Sequence, residues 1–260
     1  MIRRQLSGWL LCAIFAICGS IPASAQEWTR FRGPNGTGES EATTIPAQWA
    51  DKDYNWKVDV PGSGHSSPVL WGDRLFLLSA NPQDATRHAL CYDAVTGKKI
   101  WDVPFKSQPH QLHKQSSYAS GTPAVDETHV YFAWAAPASI TLIAMTHNGD
   151  KVWMRDLGPW ASQHGFGTSP VVYQGLVILS NSQETKGGPE PACEMLAVDR
   201  ATGEDRWKTK LHSENTSYSV PAVFEPKSGP PQLICTNTGD GMFALDPASG
   251  KVLWSNAFFD

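Results

Sequence analysis

The phrase LDPASGKVLW (Leu245–Trp254) has three relatives in the same chain: YDAVTGKKIW (Tyr92–Trp101), VDRATGEDRW (Val198–Trp207) and, more loosely, MTHNGDKVW (Met145–Trp153). Each puts a glycine four residues before a tryptophan, and three put an aspartate four residues before that glycine. The tryptophans Trp101, Trp153, Trp207 and Trp254 are spaced by 52, 54 and 47 residues. A second phrase precedes each of them: HSSPV (His65–Val69), SGTPAV (Ser120–Val125), GTSPVV (Gly167–Val172) and YSVPAV (Tyr218–Val223). Two phrases recurring in one order at a near-constant period mark an internal repeat, and a period of about fifty residues restricts the fold to repeat architectures.

Within one period the chain divides into four short strands. The first unit reads PVLWG, a turn at Gly72-Asp73, RLFLLSA, a loop through Asn81-Pro82, HALCYDA, a turn at Thr96-Gly97, then KIWDV. The runs are rich in β-branched, aromatic and leucine residues and are punctuated by Gly, Asp, Asn or Pro. VYFAWA, LVILSNS and QLICTNT are the second strands of the later units, and no sustained helical periodicity interrupts them. Four strands in about fifty residues is the size of one propeller blade. The expected fold is therefore all-β, with blades near 65–105, 119–158, 166–212 and 217–258.

The repeated phrase reads as a hairpin followed by a wedge. Asp93, Asp199 and Asp246 stand where a carboxylate accepts hydrogen bonds from amides two residues on. Gly97, Gly149, Gly203 and Gly250 supply the positive φ that the tight turn needs. The tryptophan then falls on the outermost strand, where its flat ring can lie between neighbouring blades. Burying most of a Trp removes roughly 200 Å² from water, a few kcal/mol at ~25 cal/mol/Å².

This pattern resembles the pyrroloquinoline-quinone (PQQ)-type propeller repeat of quinoprotein dehydrogenases and of BamB-like outer-membrane assembly lipoproteins. The resemblance runs from Trp56 to the C-terminus, with the second copy degenerate, His147-Asn148 replacing the Asp turn. The opening WTRFRGPNGTG (Trp28–Gly38) is similar to the start of a class of exported bacterial proteins with such repeats, and carries no activity with it. The resemblance implies a propeller of seven or eight blades, closed by pairing the first and last segments of the chain. Trp56, in YNWKVDV (Tyr54–Val60), then reads as the outermost strand of the closing blade, whose inner three strands are not in the sequence. The first expectation is a piece of a longer protein; the alternatives are a half-propeller that dimerises and a compact four-bladed closure.

Ahead of the repeats, MIRRQLSGWLLCAIFAICGSIPASAQ has two arginines, an apolar run from Gly8 to Cys18 and Ala23-Ser24-Ala25. These are the three parts of a signal peptide, so Met1–Ala25 is expected to be cleaved, with the mature chain starting at Gln26. Lipidation at Cys18 would want a small residue before it, where Ile17 stands. The predicted location is periplasmic, secreted or cell-surface. Residues 26–55 form an extended arm carrying Trp28, Phe31, Pro46 and Trp49, enough to pack along the propeller.

Of 21 Lys and Arg, cleavage removes Arg3 and Arg4, leaving 19 bases against 25 acids and a net charge of −6. A mildly acidic chain without a basic stripe argues against nucleic acid as a partner. No later run is long enough for a transmembrane helix. Cys91, Cys193 and Cys235 remain, as one disulfide and a thiol or as three buried thiols, without a CxxCH or a CxxC.

Residues just before the four inner strands face the central channel or its mouth. They are His65, Ser66, Tyr118, Ser120, His164, Phe166, Thr168, Tyr218 and Ser219, a candidate binding set. The alternative is that they satisfy buried strand ends and line a water-filled channel. A quinoprotein dehydrogenase is implied by the resemblance to hold PQQ against a Trp floor and a vicinal Cys-Cys disulfide, with calcium on Glu and Asn and a catalytic Asp. This sequence has no adjacent cysteines, and no loop gathers Asp, Glu and Asn at ligand spacing.

Several other stretches read as structural. GPNGTG (Gly33–Gly38) is a turn rather than a phosphate loop, and His110 with His113 reads as a surface loop rather than a metal pair. NTGDG (Asn237–Gly241) reads as a hairpin rather than a calcium loop, and Ser180–Glu194 as a polar insertion. No catalytic residue and no metal are assigned. The expected function is an exported, non-catalytic scaffold or binding module with protein partners in the envelope or at the cell surface, and self-association through an open propeller edge. No cofactor is expected; the alternative is a PQQ- and calcium-dependent alcohol or sugar oxidoreductase.

Overall fold

The structure, a computed structural model, describes residues 27–43, 45–162, 164–184, 193–213 and 215–257. The signal peptide, Cys18 and the Gln26 start lie outside the described residues, as do residues 185–192 of the polar insertion and Phe259-Asp260. Sixteen strands form four antiparallel sheets, each running in sequence order from inner to outer strand. Blade 1 holds β1 (Val69–Trp71), β2 (Arg74–Ala80), β3 (Arg87–Asp93) and β4 (Lys99–Phe105). Blade 2 holds β5 (Ala124–Val125), β6 (His129–Ala136), β7 (Ser139–Thr146) and β8 (Lys151–Asp156). Blade 3 holds β9 (Val171–Tyr173), β10 (Leu176–Asn181), β11 (Glu194–Asp199) and β12 (Asp205–Lys210). Blade 4 holds β13 (Ala222–Phe224), β14 (Gln232–Asn237), β15 (Gly241–Leu245) and β16 (Val252–Asn256). The sheets do not close into a ring.

Side chains alternate across a strand, so the middle strands split between two cores. On β6, Val130, Phe132 and Trp134 pack with Phe76, Leu78 and Cys91 of blade 1. The intervening Tyr131, Ala133 and Ala135 pack with Val177, Leu179 and Leu196 of blade 3. A third core joins Ile178, Met195 and Trp207 of blade 3 to Leu233, Cys235 and Phe243 of blade 4. Burial on both faces explains why VYFAWA and LVIL (176–179) read as unbroken apolar runs.

The repeated hairpin forms as its residues dictate. Asp93 Oδ1 accepts the amides of Val95 (3.1 Å) and Thr96 (2.7 Å), and Asp199 and Asp246 do the same two and three residues on. In the degenerate copy Thr146 Oγ1 takes the carboxylate's place, accepting the amides of Asn148 and Asp150. The turn glycines have φ of +70° to +93°. They also serve as seats: a Cβ at Gly203 would lie 2.7 Å from Trp153, and one at Gly250 would lie 2.5 Å from Trp207. Each ring further anchors to a carbonyl of the next blade's turn, Trp101 Nε1 to His147, Trp153 Nε1 to Arg200 and Trp207 Nε1 to Pro247, at 2.9–3.0 Å.

The two ends of the repeat depart from expectation. Trp56 docks on blade 1 in the same way, 2.6 Å from a Cβ at Gly97 and bonded to Ala94 O, but Trp56–Val60 forms no strand. A strand needs a ladder partner, and none lies beside it among the described residues. Trp254 lies on no turn glycine among the described residues; it is 39% exposed and bonds Gln232 Oε1 of its own blade.

The arm divides at about residue 40. Trp28 pairs with Leu70 of β1, Thr29 O accepts Val125 N of β5, and Arg30 donates to Pro221 O beside β13. Asn35 both donates to and accepts from the Val223 backbone, at 2.7 and 2.8 Å. Trp28 to Arg30 thus carry the arm across the inner strands from blade 1 to blade 4, where Asn35 of the GPNGTG turn fixes it. Farther on, Ile45 and Trp49 are exposed, and Trp49 Nε1 donates to Tyr54.

Candidate functional site

The Ser/Thr-Pro phrases turn out to stitch the inner ends of the blades. Thr122 Oγ1 accepts the Ser67 amide (3.0 Å), and Ser169 Oγ accepts the Thr122 amide (2.9 Å). Both hydroxyls belong to the residue before a proline, which is held extended and cannot turn away into a helix. In blade 4 that residue is Val220, which has no hydroxyl, and the run of stitches stops there. A further link joins blades 1 and 2 through Ala119 O, which accepts the amides of His65 and Ser66.

Just ahead of these stitches lies a cavity of about 430 Å³. Its wall includes His65, Ser120, His164 and Tyr218, four of the nine residues expected at the mouth. His113, Gln115 and Ser116 complete it from the connection between β4 and β5. His113 meets His164 edge to face, with ring centroids 5.1 Å apart. The Tyr218 hydroxyl donates to Gly165 O (3.0 Å), and the ring lies over Gly167, where a Cβ would be 3.1 Å away. Burial pushes the Tyr218 phenol above its usual range, so it remains a hydrogen-bond donor through neutral pH.

The other five candidates sit elsewhere. Phe166 is buried in the core between blades 2 and 3, edge to face with Trp160. Thr168 is buried, its hydroxyl without a partner. Ser66 Oγ accepts the Leu78 amide, and Ser219 Oγ accepts the Thr236 hydroxyl. The Tyr118 hydroxyl donates to His110 O (2.7 Å), and its ring lies 5.1 Å from the guanidinium carbon of Arg87. Arg87 is wholly buried and spends its donors on the carbonyls of Tyr118, Ala85 and Ala135, tying blade 1 to blade 2.

His113, expected on a surface loop, instead belongs to the cavity wall. The signal that could have found it is the connection from Phe105 to Ala124, the longest of the three that join the blades, which folds back over the inner ends. Its companion His110 instead packs against Tyr118, centroids 4.9 Å apart. Cys91, Cys193 and Cys235 are all buried; Cys193 Sγ accepts the Gln183 amide, and burial pushes the thiols of Cys91 and Cys235 up to about 12. Among the described residues no cluster of His, Cys, Asp or Glu is placed to hold a metal ion. No helix in them is long and apolar enough to cross a membrane.

Residues 48–231 match the family of the outer membrane protein assembly factor BamB. No curated protein matches the sequence. Among solved structures, BamB from Moraxella catarrhalis is 18% identical with a TM-score of 0.50, the match covering 76% of this chain and 53% of that one. The quinohemoprotein alcohol dehydrogenase of Comamonas testosteroni is 15% identical with a TM-score of 0.56, covering 90% of this chain and 49% of that one. A europium-containing methanol dehydrogenase is 15% identical with a TM-score of 0.54, covering 74% and 41%. At these identities the likeness is one of fold. The chain spans about half the length of the chains it matches.

Proposed function

Because the chain belongs to the family of the outer membrane protein assembly factor BamB, we propose that it is an exported, non-catalytic propeller that holds a protein partner in the envelope or at the cell surface. The observation that carries this reading is the make-up of the mouth cavity. Its wall is imidazole, hydroxyl, amide and phenol, a surface suited to hydrogen-bonding a partner's loop. The quinoprotein reading would need Glu, Asn and Asp around PQQ and calcium; among the described residues no carboxylate lines the cavity. The three cysteines are buried in three separate strand regions and cannot form a vicinal pair. The residues present do not fit that cofactor, and fold likeness alone carries no chemistry.

Two measurements test the proposal. Purified protein with added PQQ and calcium should show neither bound-cofactor absorbance nor dye-linked alcohol oxidation, and turnover would overturn the scaffold reading. Protein tethered to resin should retain an envelope partner that the double variant His65→Ala, His164→Ala releases. Equal retention by the variant would remove the mouth from the interface.

A further inference from the structure

We propose that the arm and the inner end of blade 4 form a binding site for a small oxyanion, a carboxylate or phosphate group, held by Arg30, Arg32 and Ser219. A second cavity, of about 280 Å³, lies between the WTRFRGPNGTG arm and β13. Arg30, Arg32, Asn35, Tyr218 and Ser219 line it, and no acidic residue does among the described residues. Tyr218 lines the mouth cavity as well.

Arg30 is the unusual group. It is 6% exposed, its Nη2 donates to Pro221 O, and its Nε is buried with no partner. Among the described residues it has no ion pair, unlike Arg155 and Arg200, which reach carboxylates at 2.7–2.8 Å. Burial lowers its pKa to about 10, which still leaves it charged at neutral pH. A buried cation without a counter-ion is costly unless something supplies the charge. Gly36 leaves the space the guanidinium occupies: a Cβ there would lie 3.2 Å from Arg30 Nη2.

The rest of the wall adds donors. Arg32 is exposed on the same cavity, and among the described residues its side chain has no hydrogen bond or ion pair. Ser219 Oγ accepts from Thr236 at 2.7 Å, which leaves its own proton free to donate. Two guanidinium forks and a hydroxyl around an acid-free pocket match the planar or tetrahedral oxygens of an oxyanion. The assignment is independent of the scaffold reading, because neither the mouth cavity nor a protein partner enters it.

The test is calorimetric titration of the whole protein with inorganic phosphate and, separately, with acetate at low ionic strength. At least one should bind, and Arg32→Gln, which removes no hydrogen bond or ion pair among the described residues, should weaken that binding about tenfold, as loss of a charge-assisted pair does. Arg30→Lys keeps the charge and loses the fork, and should weaken it as well. Arg206→Gln, outside the cavity on β12, should leave it unchanged. Binding of phosphate alone assigns a phosphoryl group, and of acetate alone a carboxylate. The proposal is overturned if neither anion binds, if Arg32→Gln binds as wild type, or if Arg206→Gln weakens binding equally. Should Arg30→Lys fail to fold, Ser219→Ala serves as the second variant.

Discussion

At the scale of single residues, the turn glycines carry two constraints at once. Gly250 has φ +71°, and any Cβ it gained would strike the Trp207 ring at 2.5 Å. Gly250→Val should therefore cost about 2–4 kcal/mol, the strain of a positive φ added to overpacking. A urea midpoint equal to wild type would show the turn to be indifferent to both. Asp126 is a second such point. Burial alone would raise its pKa, but the amides of Thr128 and His129 and the hydroxyls of Tyr131 and Thr128 hold the carboxylate below its usual range. Arg200 of blade 3 reaches the same carboxylate at 3.3 Å. With the folded pKa below the unfolded one, the group's stabilisation is full above a pH of about 5 and is lost as the pH falls below about 4. Thermal melts across that window should show a fall in stability that Asp126→Asn reduces, while Asp126→Asn itself costs about 1–3 kcal/mol at neutral pH.

At the scale of elements, the outer strands divide into those that feed a following blade and the one that does not. Trp207 on β12 is 8% exposed between blades 3 and 4, whereas Trp254 on β16 occupies the same place in the repeat with no blade packed on it among the described residues. Trp207→Ala should cost about 3–5 kcal/mol, the loss of a buried aromatic, and Trp254→Ala less than about 1. Equal costs, measured by chemical denaturation, would mean that the tryptophan stabilises its own sheet rather than the joint between sheets. The arm is the other element whose role is positional. Its backbone and Asn35 supply hydrogen bonds to inner strands of blades 1, 2 and 4 that the blades do not supply to one another.

For the molecule as a whole, the consequence is an edge. Val252, Leu253 and Trp254 are all exposed on β16, and one side of that strand has no ladder partner among the described residues. A second copy offers no empty seat for Trp254, since Trp56, Trp101, Trp153 and Trp207 already cover its four turn glycines. Self-association should then proceed by edge pairing, with concentration-dependent sedimentation of the purified protein. The double variant Val252→Lys, Trp254→Lys should sediment as a monomer, because edge charges oppose strand addition. A wild-type monomer at all concentrations would show that the edge is already protected.

The amino-acid sequence by itself determined the parts that depend on a residue and its near neighbours. The Asp–Gly–Trp phrase specified hairpins through φ and side-chain-to-amide bonds, and strand-length apolar runs bounded by turns specified four four-stranded blades. Tertiary structure alone decided which surface each part meets. Trp56, Trp101, Trp153 and Trp207 find their seats on glycines 41 to 50 residues away, the Ser67–Thr122–Ser169 stitch links separate repeats, and Asn35 binds a strand 188 residues on. It also decided the sites, bringing His113 to His164 and leaving Phe166 in the core. The physical reason is that turn and strand chemistry act over a few residues, whereas an inter-blade face is specified only when two distant sheets pack. No period within the chain announces which faces those will be.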